Sequence, residues 1–100
     1  MADPLRHAQF APLVGTTFEF GAEIADHAAT LTLIEVTPPA HVQALECFAL
    51  RWIGPAGLPQ RTYSVRHPVL GETLIFIVPV GQDGTAGRYE AVFSVPIVQA

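Results

Sequence analysis

The sequence predicts a small all-β domain of about six antiparallel strands with a short N-terminal helix. The first observation is a set of short runs in which apolar side chains alternate, each closed by Gly or Pro. A side-chain period of two is typical of strands with one buried face. The second observation is the length of 100 residues, enough for one domain with a modest core. We expect a single β domain over residues 1–100, with a helical plug over 1–15, a β-meander over 16–96 and a tail over 97–100.

The N-terminal segment is the only one with a helical pattern. Asp3 followed by Pro4 suits the N-cap and first position of a helix, and Pro12 ends it early. We therefore expect one to two helical turns. The side chains predicted to pack on the sheet as a plug are Phe10, Leu13 and Val14.

The predicted strands cover residues 17–23, 29–37, 46–53, 61–67, 72–80 and 88–95. In the second run the apolar phase slips at Ile34–Glu35–Val36, which predicts a β-bulge or a bend. In the fifth run, residues 74–78 are apolar on both faces. This pattern is typical of a strand that is covered on two sides or that meets another subunit.

The connections among the last five predicted strands are short, and short loops favour antiparallel neighbours. We expect a meander of strands two to six, with strand one at an edge and strands three and four paired. Such a sheet closes into a small barrel or folds into a two-layer sandwich. The barrel is favoured because closure removes exposed sheet edges.

Composition narrows the range of partners. Half of the residues are apolar, 14% are charged and the net charge is −4, with no Lys. This composition excludes a disordered chain, and it argues against binding to nucleic acid or to an anionic membrane surface. The apolar fraction is high for a small monomer, so we expect a protein partner or self-association.

Cysteine content and apolar run length predict a cytoplasmic protein. Cys47 is the only cysteine, so no intramolecular disulfide forms. The longest apolar run, residues 74–78, is far shorter than the ~20 residues that span a bilayer. The N-terminal residues lack the apolar segment of a secretory signal.

A combination of short strings marks the chain further. They are FAPLVG at 10–15 followed by Phe18, FAL at 48–50, GP at 54–55, LPQRTY at 58–63, HP at 67–68, Gly71, FIVPVG at 76–81 and YEAVF at 89–93. With these strings the chain resembles a family of short bacterial domains of unassigned function, associated with phage-tail-collar-like proteins. The resemblance implies a small accessory or structural domain linked to tail-like assemblies, and it brings no catalytic residues. Ser94 departs from the family pattern, in which Asn is usual.

The candidate metal ligands are Glu23, Asp26 and His27, which surround a predicted turn. Their mixed oxygen and nitrogen atoms suit zinc or a hard cation. The alternative is that Asp26 caps the turn and His27 is solvated, since no pair of ligands has a motif spacing. His41 with Cys47 is a second, weaker pair. We expect no metal, no cofactor and no catalytic residue.

Two surfaces are candidates for binding. The first is an exposed interaction surface of Ile53, Ile75 and Ile77 with Arg51 and Arg66. The two arginines are expected to pair across strands with Glu72 or Glu90, or to form a fork for an anion. The second is a ligand pocket whose mouth is lined by Trp52, Tyr63 and His67, with core packing of these side chains as the alternative.

These observations predict a non-enzymatic interaction or assembly domain, accessory to a phage-tail-like or other bacterial assembly. One alternative is a small-molecule-binding β-barrel that uses the pocket. The other is a metal-dependent hydrolase that uses His27 and its acidic neighbours.

Overall fold

A computed structural model describes residues 5–21 and 28–97 of the chain. A short helix, α1 (His7–Phe10), runs into a 3₁₀ turn over Ala11–Leu13. The described part holds seven strands: β1 Thr17–Phe20, β2 Ala29–Val36, β3 Ala40–Val42, β4 Leu45–Pro55, β5 Arg61–His67, β6 Gly71–Asp83 and β7 Ala86–Pro96. None of the helices in these ranges is long and apolar enough to cross a membrane. The strand that the sequence did not predict is β3, which is three residues long and exposed throughout, so it lacks an alternating pattern.

Six of the strands form a closed barrel. Every pairing is antiparallel, in the order β2-β1-β5-β6-β7-β4, and β2 pairs with β4 to close the ring. β3 is added beside the start of β4 as a hairpin. The prediction of an antiparallel barrel with a short N-terminal helix is therefore confirmed.

The predicted meander is correct for the second and third strands and for the fourth to sixth, but the predicted pairing of the third and fourth strands and the edge position of the first are wrong. The predicted third and fourth strands are β4 and β5, which lie on opposite sides of the ring, because β4 pairs with β7 and β2 instead. The connection over residues 56–60 crosses the end of the barrel. Five extended residues reach about 17 Å, so a short loop can cross a small barrel without joining neighbours.

The N-terminal helix covers the opposite end of the barrel. The Arg6 guanidinium donates to the carbonyl of Pro96, and the His7 N–H donates to a carboxylate oxygen of Glu46 at 2.9 Å. Phe10 is fully buried, with its ring 5.3 Å from that of Phe93. The predicted plug is present, with one correction: Val14 follows the buried turn and faces solvent.

The phase slip in the second predicted strand is a break in register. β2 pairs with β4 through Leu33↔Trp52 and then Glu35↔Arg51, so Ile34 is the extra residue of a bulge. Ile34 is exposed as a result. The bulge lets β2 carry inward side chains on both sides of the bend.

Strand β6 joins the two halves of the barrel wall. Its residues 71–77 pair with β5, and its residues 78–83 pair with β7. The last pair on the β7 side before the strands diverge is Val78↔Glu90. At the other end, Asp83↔Ala86 leaves a two-residue turn, in which Gly84 adopts φ +63°, as a primed hairpin turn requires.

Candidate functional site

The most exposed apolar side chains of the barrel wall lie on β6 and β7. Leu74 is 71% exposed, Phe76 49% and Val92 72%, while Val78 is half-buried. We call Leu74, Phe76, Val78 and Val92 the apolar face. Phe76 precedes Val78 by two residues, and Val92 follows Glu90 by two, so both flank the point where β6 and β7 diverge.

This face corrects the predicted interaction surface. Ile75 and Ile77 are 1% and 0% exposed and belong to the barrel core, and Ile53 is half-buried. The prediction that residues 74–78 are covered on both faces is also wrong, because Leu74 and Phe76 face solvent. When a strand carries apolar side chains on both faces, the alternation in the sequence does not show which face points into the core.

The hairpin between β5 and β6 contains the signal that sets this phase. His67 pairs with Gly71 across a three-residue loop, so Tyr63 pairs with Ile75. Cross-strand partners share a face of the sheet, so an inward Tyr63 requires an inward Ile75. Counting from the loop would have placed Leu74 and Phe76 outside.

The two predicted surface arginines sit in cross-strand ion pairs beside the apolar face. Arg51 Nη1 lies 2.6 Å from Glu35 of β2, and its Nε lies 3.0 Å from Glu90 of β7. The hydrogen bond to Glu35, followed by that to Glu90, raises the pKa of Arg51. Arg66 Nη2 lies 3.6 Å from Glu72. The predicted pairing of these arginines with Glu90 and Glu72 is observed.

Trp52, Tyr63 and His67 fill the barrel instead of lining a common mouth. The Phe18 ring lies 4.4 Å from that of His67 and 5.7 Å from that of Trp52. The Phe20 ring lies 5.3 Å from Trp52 and 6.0 Å from Tyr63. The five rings form one column through the core, with His67 at one end and Tyr63 at the other. The core-packing alternative therefore describes these three side chains.

The histidine at one end of the column has a fixed proton. The Thr16 hydroxyl donates to the Leu13 carbonyl at 2.7 Å, so it accepts from His67 Nε2, which is 3.0 Å away. The Val69 N–H donates to His67 Nδ1 at 3.0 Å. Both ring nitrogens are thus satisfied in the neutral Nε2–H form. Burial, at 4% exposure, lowers the pKa of His67.

A cleft opens beside this histidine where β1 and β5, over the described residues, share two residue pairs, Glu19↔Arg66 and Phe20↔Val65. Its volume is about 460 Å³, and Thr17, Glu19, Thr30 and Arg66 line it together with Phe18 and Pro68. The outward side chains of β1, β2 and β5 in this region define the polar face: Thr17, Glu19, Thr30, Ser64 and Arg66.

A second cleft, of about 480 Å³, lies at the Tyr63 end of the column. It is lined by Ala29, Pro55, Leu58, Pro59, Arg61 and Tyr63. We call it the Tyr63 cleft. Neither cleft includes Trp52 in its lining. The sequence did not predict this cleft, because its two walls come from β5 and from the loop that crosses the barrel end.

The candidate metal ligands Glu23, Asp26 and His27 lie outside the described residues. Within residues 5–21 and 28–97, no group of three potential ligands comes together. His41 Nε2 faces Glu46 at 3.9 Å, whereas Cys47 Sγ lies 3.7 Å from the Ser94 hydroxyl. The side chains of the predicted pair, His41 and Cys47, therefore contact different residues.

Residues 5–93 match the model of a protein family described as a domain of unknown function, DUF6916. The match covers most of the barrel and the N-terminal plug, so the chain belongs to this family. None of the curated proteins and none of the solved structures matches the chain. The fold and the family thus define a β-barrel domain of unknown function.

Proposed function

We propose that this protein is a non-enzymatic interaction domain that associates with a second copy of itself through the apolar face. The observation that carries the proposal is the exposure of Leu74, Phe76 and Val92 on one part of the barrel wall. Soluble monomers rarely leave a large apolar patch uncovered. Burying these side chains against another protein removes them from water, which is the main favourable contribution to association.

The charges around the apolar face favour a second copy as the occupant. The four side chains of the face are uncharged, so two copies meet there without like-charge repulsion. Charged side chains on β4, β5, β6 and β7 form ion pairs across the strands, as in Arg66–Glu72 and Arg51–Glu90. A twofold contact uses the same patch on both subunits, and a small self-compatible patch meets that requirement.

Sedimentation velocity across micromolar to millimolar concentrations tests the proposal. We expect a concentration-dependent dimer of the wild-type protein. Phe76→Lys is expected to be folded and monomeric, because a lysine on the face would be desolvated without a partner. Thr30→Lys is the matched control, since it makes the same charge change at an exposed strand position of the polar face, and it is expected to dimerise.

A monomeric wild-type protein at millimolar concentration would overturn self-association. Equal weakening of the dimer by Phe76→Lys and Thr30→Lys would show that net charge, and not the apolar face, controls it. Circular dichroism of each variant establishes that the barrel is still folded.

A second candidate is an accessory role in a phage-tail-like or other bacterial assembly, in which the apolar face meets a different protein. Its support is the family resemblance of the sequence strings together with the same exposed face. The described surface carries its arginines singly, which favours a protein partner over nucleic acid or a membrane. We also propose a cytoplasmic location, which the single cysteine supports.

Co-expression with the product of a neighbouring gene tests this second candidate. A stable complex that Phe76→Lys disrupts and Thr30→Lys preserves would support it. A complex that survives Phe76→Lys would place the contact elsewhere on the barrel.

A further inference from the structure

The Tyr63 cleft has a wall that is held in place before any ligand arrives. The Tyr89 hydroxyl donates to the Pro55 carbonyl at 2.6 Å and accepts from the Leu58 N–H at 3.1 Å. The Tyr63 hydroxyl donates to the Pro59 carbonyl at 2.7 Å. Both tyrosines are almost fully buried, so the crossing loop is fixed to the barrel end.

Gly87 shows how tightly this wall is packed. A Cβ at Gly87 would lie 2.6 Å from the Tyr89 hydroxyl and 3.0 Å from the Cα of Ala56. Only glycine fits under the loop without displacing it. Two prolines, Pro55 and Pro59, further limit the conformations of the loop. A preformed wall reduces the entropy lost when a ligand binds.

The charge on the cleft comes from Arg61. Its guanidinium carbon lies 5.0 Å from the centre of the Tyr63 ring, a cation–π distance. Within the part of the chain that the structure describes, the other four arginines each form an ion pair with a carboxylate and Arg61 does not. Stacking on Tyr63 covers a face of the guanidinium and leaves its N–H edge available for a planar acceptor.

We propose that the Tyr63 cleft binds a carboxylate that carries an apolar group. The guanidinium edge of Arg61 suits the two oxygens of a carboxylate, which it binds as a fork. Leu58, Pro55 and Pro59 give the apolar group a rigid surface to contact. The carboxylate belongs either to the C-terminus of a peptide or to a free organic acid. This site lies at the end of the barrel and does not depend on the apolar face.

Two-dimensional NMR titrations test the proposal with three probes: N-acetyl-leucine, its amide and hexanoate. N-acetyl-leucine resembles a peptide C-terminus, and hexanoate is a free acid. We expect saturable shifts in residues 55–63 with a dissociation constant on the order of 1 mM for at least one of the acids. The amide, which lacks the carboxylate, is expected to bind about tenfold more weakly or not at all. The acid that binds more tightly identifies the source of the carboxylate.

Arg61→Gln and Arg66→Gln form a matched pair of variants. Both remove one positive charge from an exposed position of β5, but Arg66 is already paired with Glu72. We expect Arg61→Gln to weaken binding of the acid about tenfold or more and Arg66→Gln to leave it unchanged. The proposal is overturned if neither acid gives saturable shifts, if the amide binds as well as the acid, or if the two variants behave alike. The spectrum of each variant without ligand shows whether the barrel is intact.

Discussion

The polar face and the apolar face are outer surfaces of the same barrel, yet their compositions are opposite. The polar face presents Thr, Glu, Ser and Arg to solvent, whereas the apolar face presents Leu, Phe and Val. In both regions the inward positions are buried and, apart from His67, hydrophobic. Folding of the barrel requires apolar side chains on its inner positions only. The apolar side chains on the outside of β6 and β7 therefore need a different explanation. The difference between the faces indicates function more directly than the core does.

The largest expected effect is on the free energy of unfolding, and it distinguishes the buried side of β6 from its exposed side. Ile77→Ala is expected to lower the free energy of unfolding by about 2–5 kcal/mol, because it leaves a cavity in a fully buried position. Leu74→Ala is expected to change the monomer's unfolding free energy by about 0.5 kcal/mol or less, since its side chain is mostly in water. Urea unfolding at concentrations where the protein is monomeric measures both. A loss of similar size for both variants would mean that Leu74 packs in the monomer and that the apolar face is not free.

The next effect tests whether two copies use the same face. Phe76→Lys and Phe76→Glu are each expected to be monomeric, because identical charges meet across a twofold contact. An equimolar mixture of the two is expected to associate about tenfold more tightly than either variant alone. Sedimentation of the separate and mixed samples measures this difference. If the mixture remains monomeric while each variant is folded, Phe76 does not lie near its copy and the twofold arrangement is wrong.

A smaller effect arises beside the polar face, at His67. Burial lowers the pKa of His67 in the folded chain. As the pH falls through about 6.5, His67 of the unfolded chain takes up a proton while His67 of the folded chain is still neutral. The contribution of His67 is therefore complete above about pH 6.5 and is lost as the pH falls towards the folded-state pKa. Protonation would also place a hydrogen on Nδ1, against the Val69 N–H.

Free energies of unfolding measured from pH 7.5 to pH 5, at steps of about one pH unit, test this expectation. The loss of stability towards low pH is expected to be smaller in His67→Gln than in the wild-type protein. His41→Gln, which changes an exposed histidine, is the matched control variant. If the wild-type protein and His67→Gln lose stability equally towards low pH, the pKa of His67 is the same in the folded and the unfolded chain.

The sequence predicts the strands of this fold better than it predicts their neighbours. Alternation places Trp52, Tyr63 and Tyr89 on inward positions, and the phase slip predicts the bulge at Ile34. The pairing of β4 with β7 has no local signal, because the two strands are separated by β5 and β6. Loop length is a poor guide to strand neighbours here, because the connection that crosses the barrel end is as short as a hairpin loop.

The candidate sites are less predictable for a related reason. The apolar face depends on the phase of β6, which alternation does not fix when both sides are apolar. The Tyr63 cleft depends on two hydroxyl groups that meet the loop over residues 55–59 from different strands. Composition indicates many apolar side chains, but only the register shows which of them are exposed.

The smallest expected effect concerns the ion pair between the two faces. Glu72→Gln is expected to change the free energy of unfolding by about 0.5 kcal/mol or less, because Arg66 and Glu72 are both more than half exposed. Its effect on the proposed dimer is the sharper measurement. If the apolar face is occupied by a second copy, Glu72→Gln leaves an unpaired Arg66 near the contact in each subunit, and the dimer is expected to become more sensitive to salt. An unchanged salt dependence would place the contact on the Val92 side of the apolar face, away from β5.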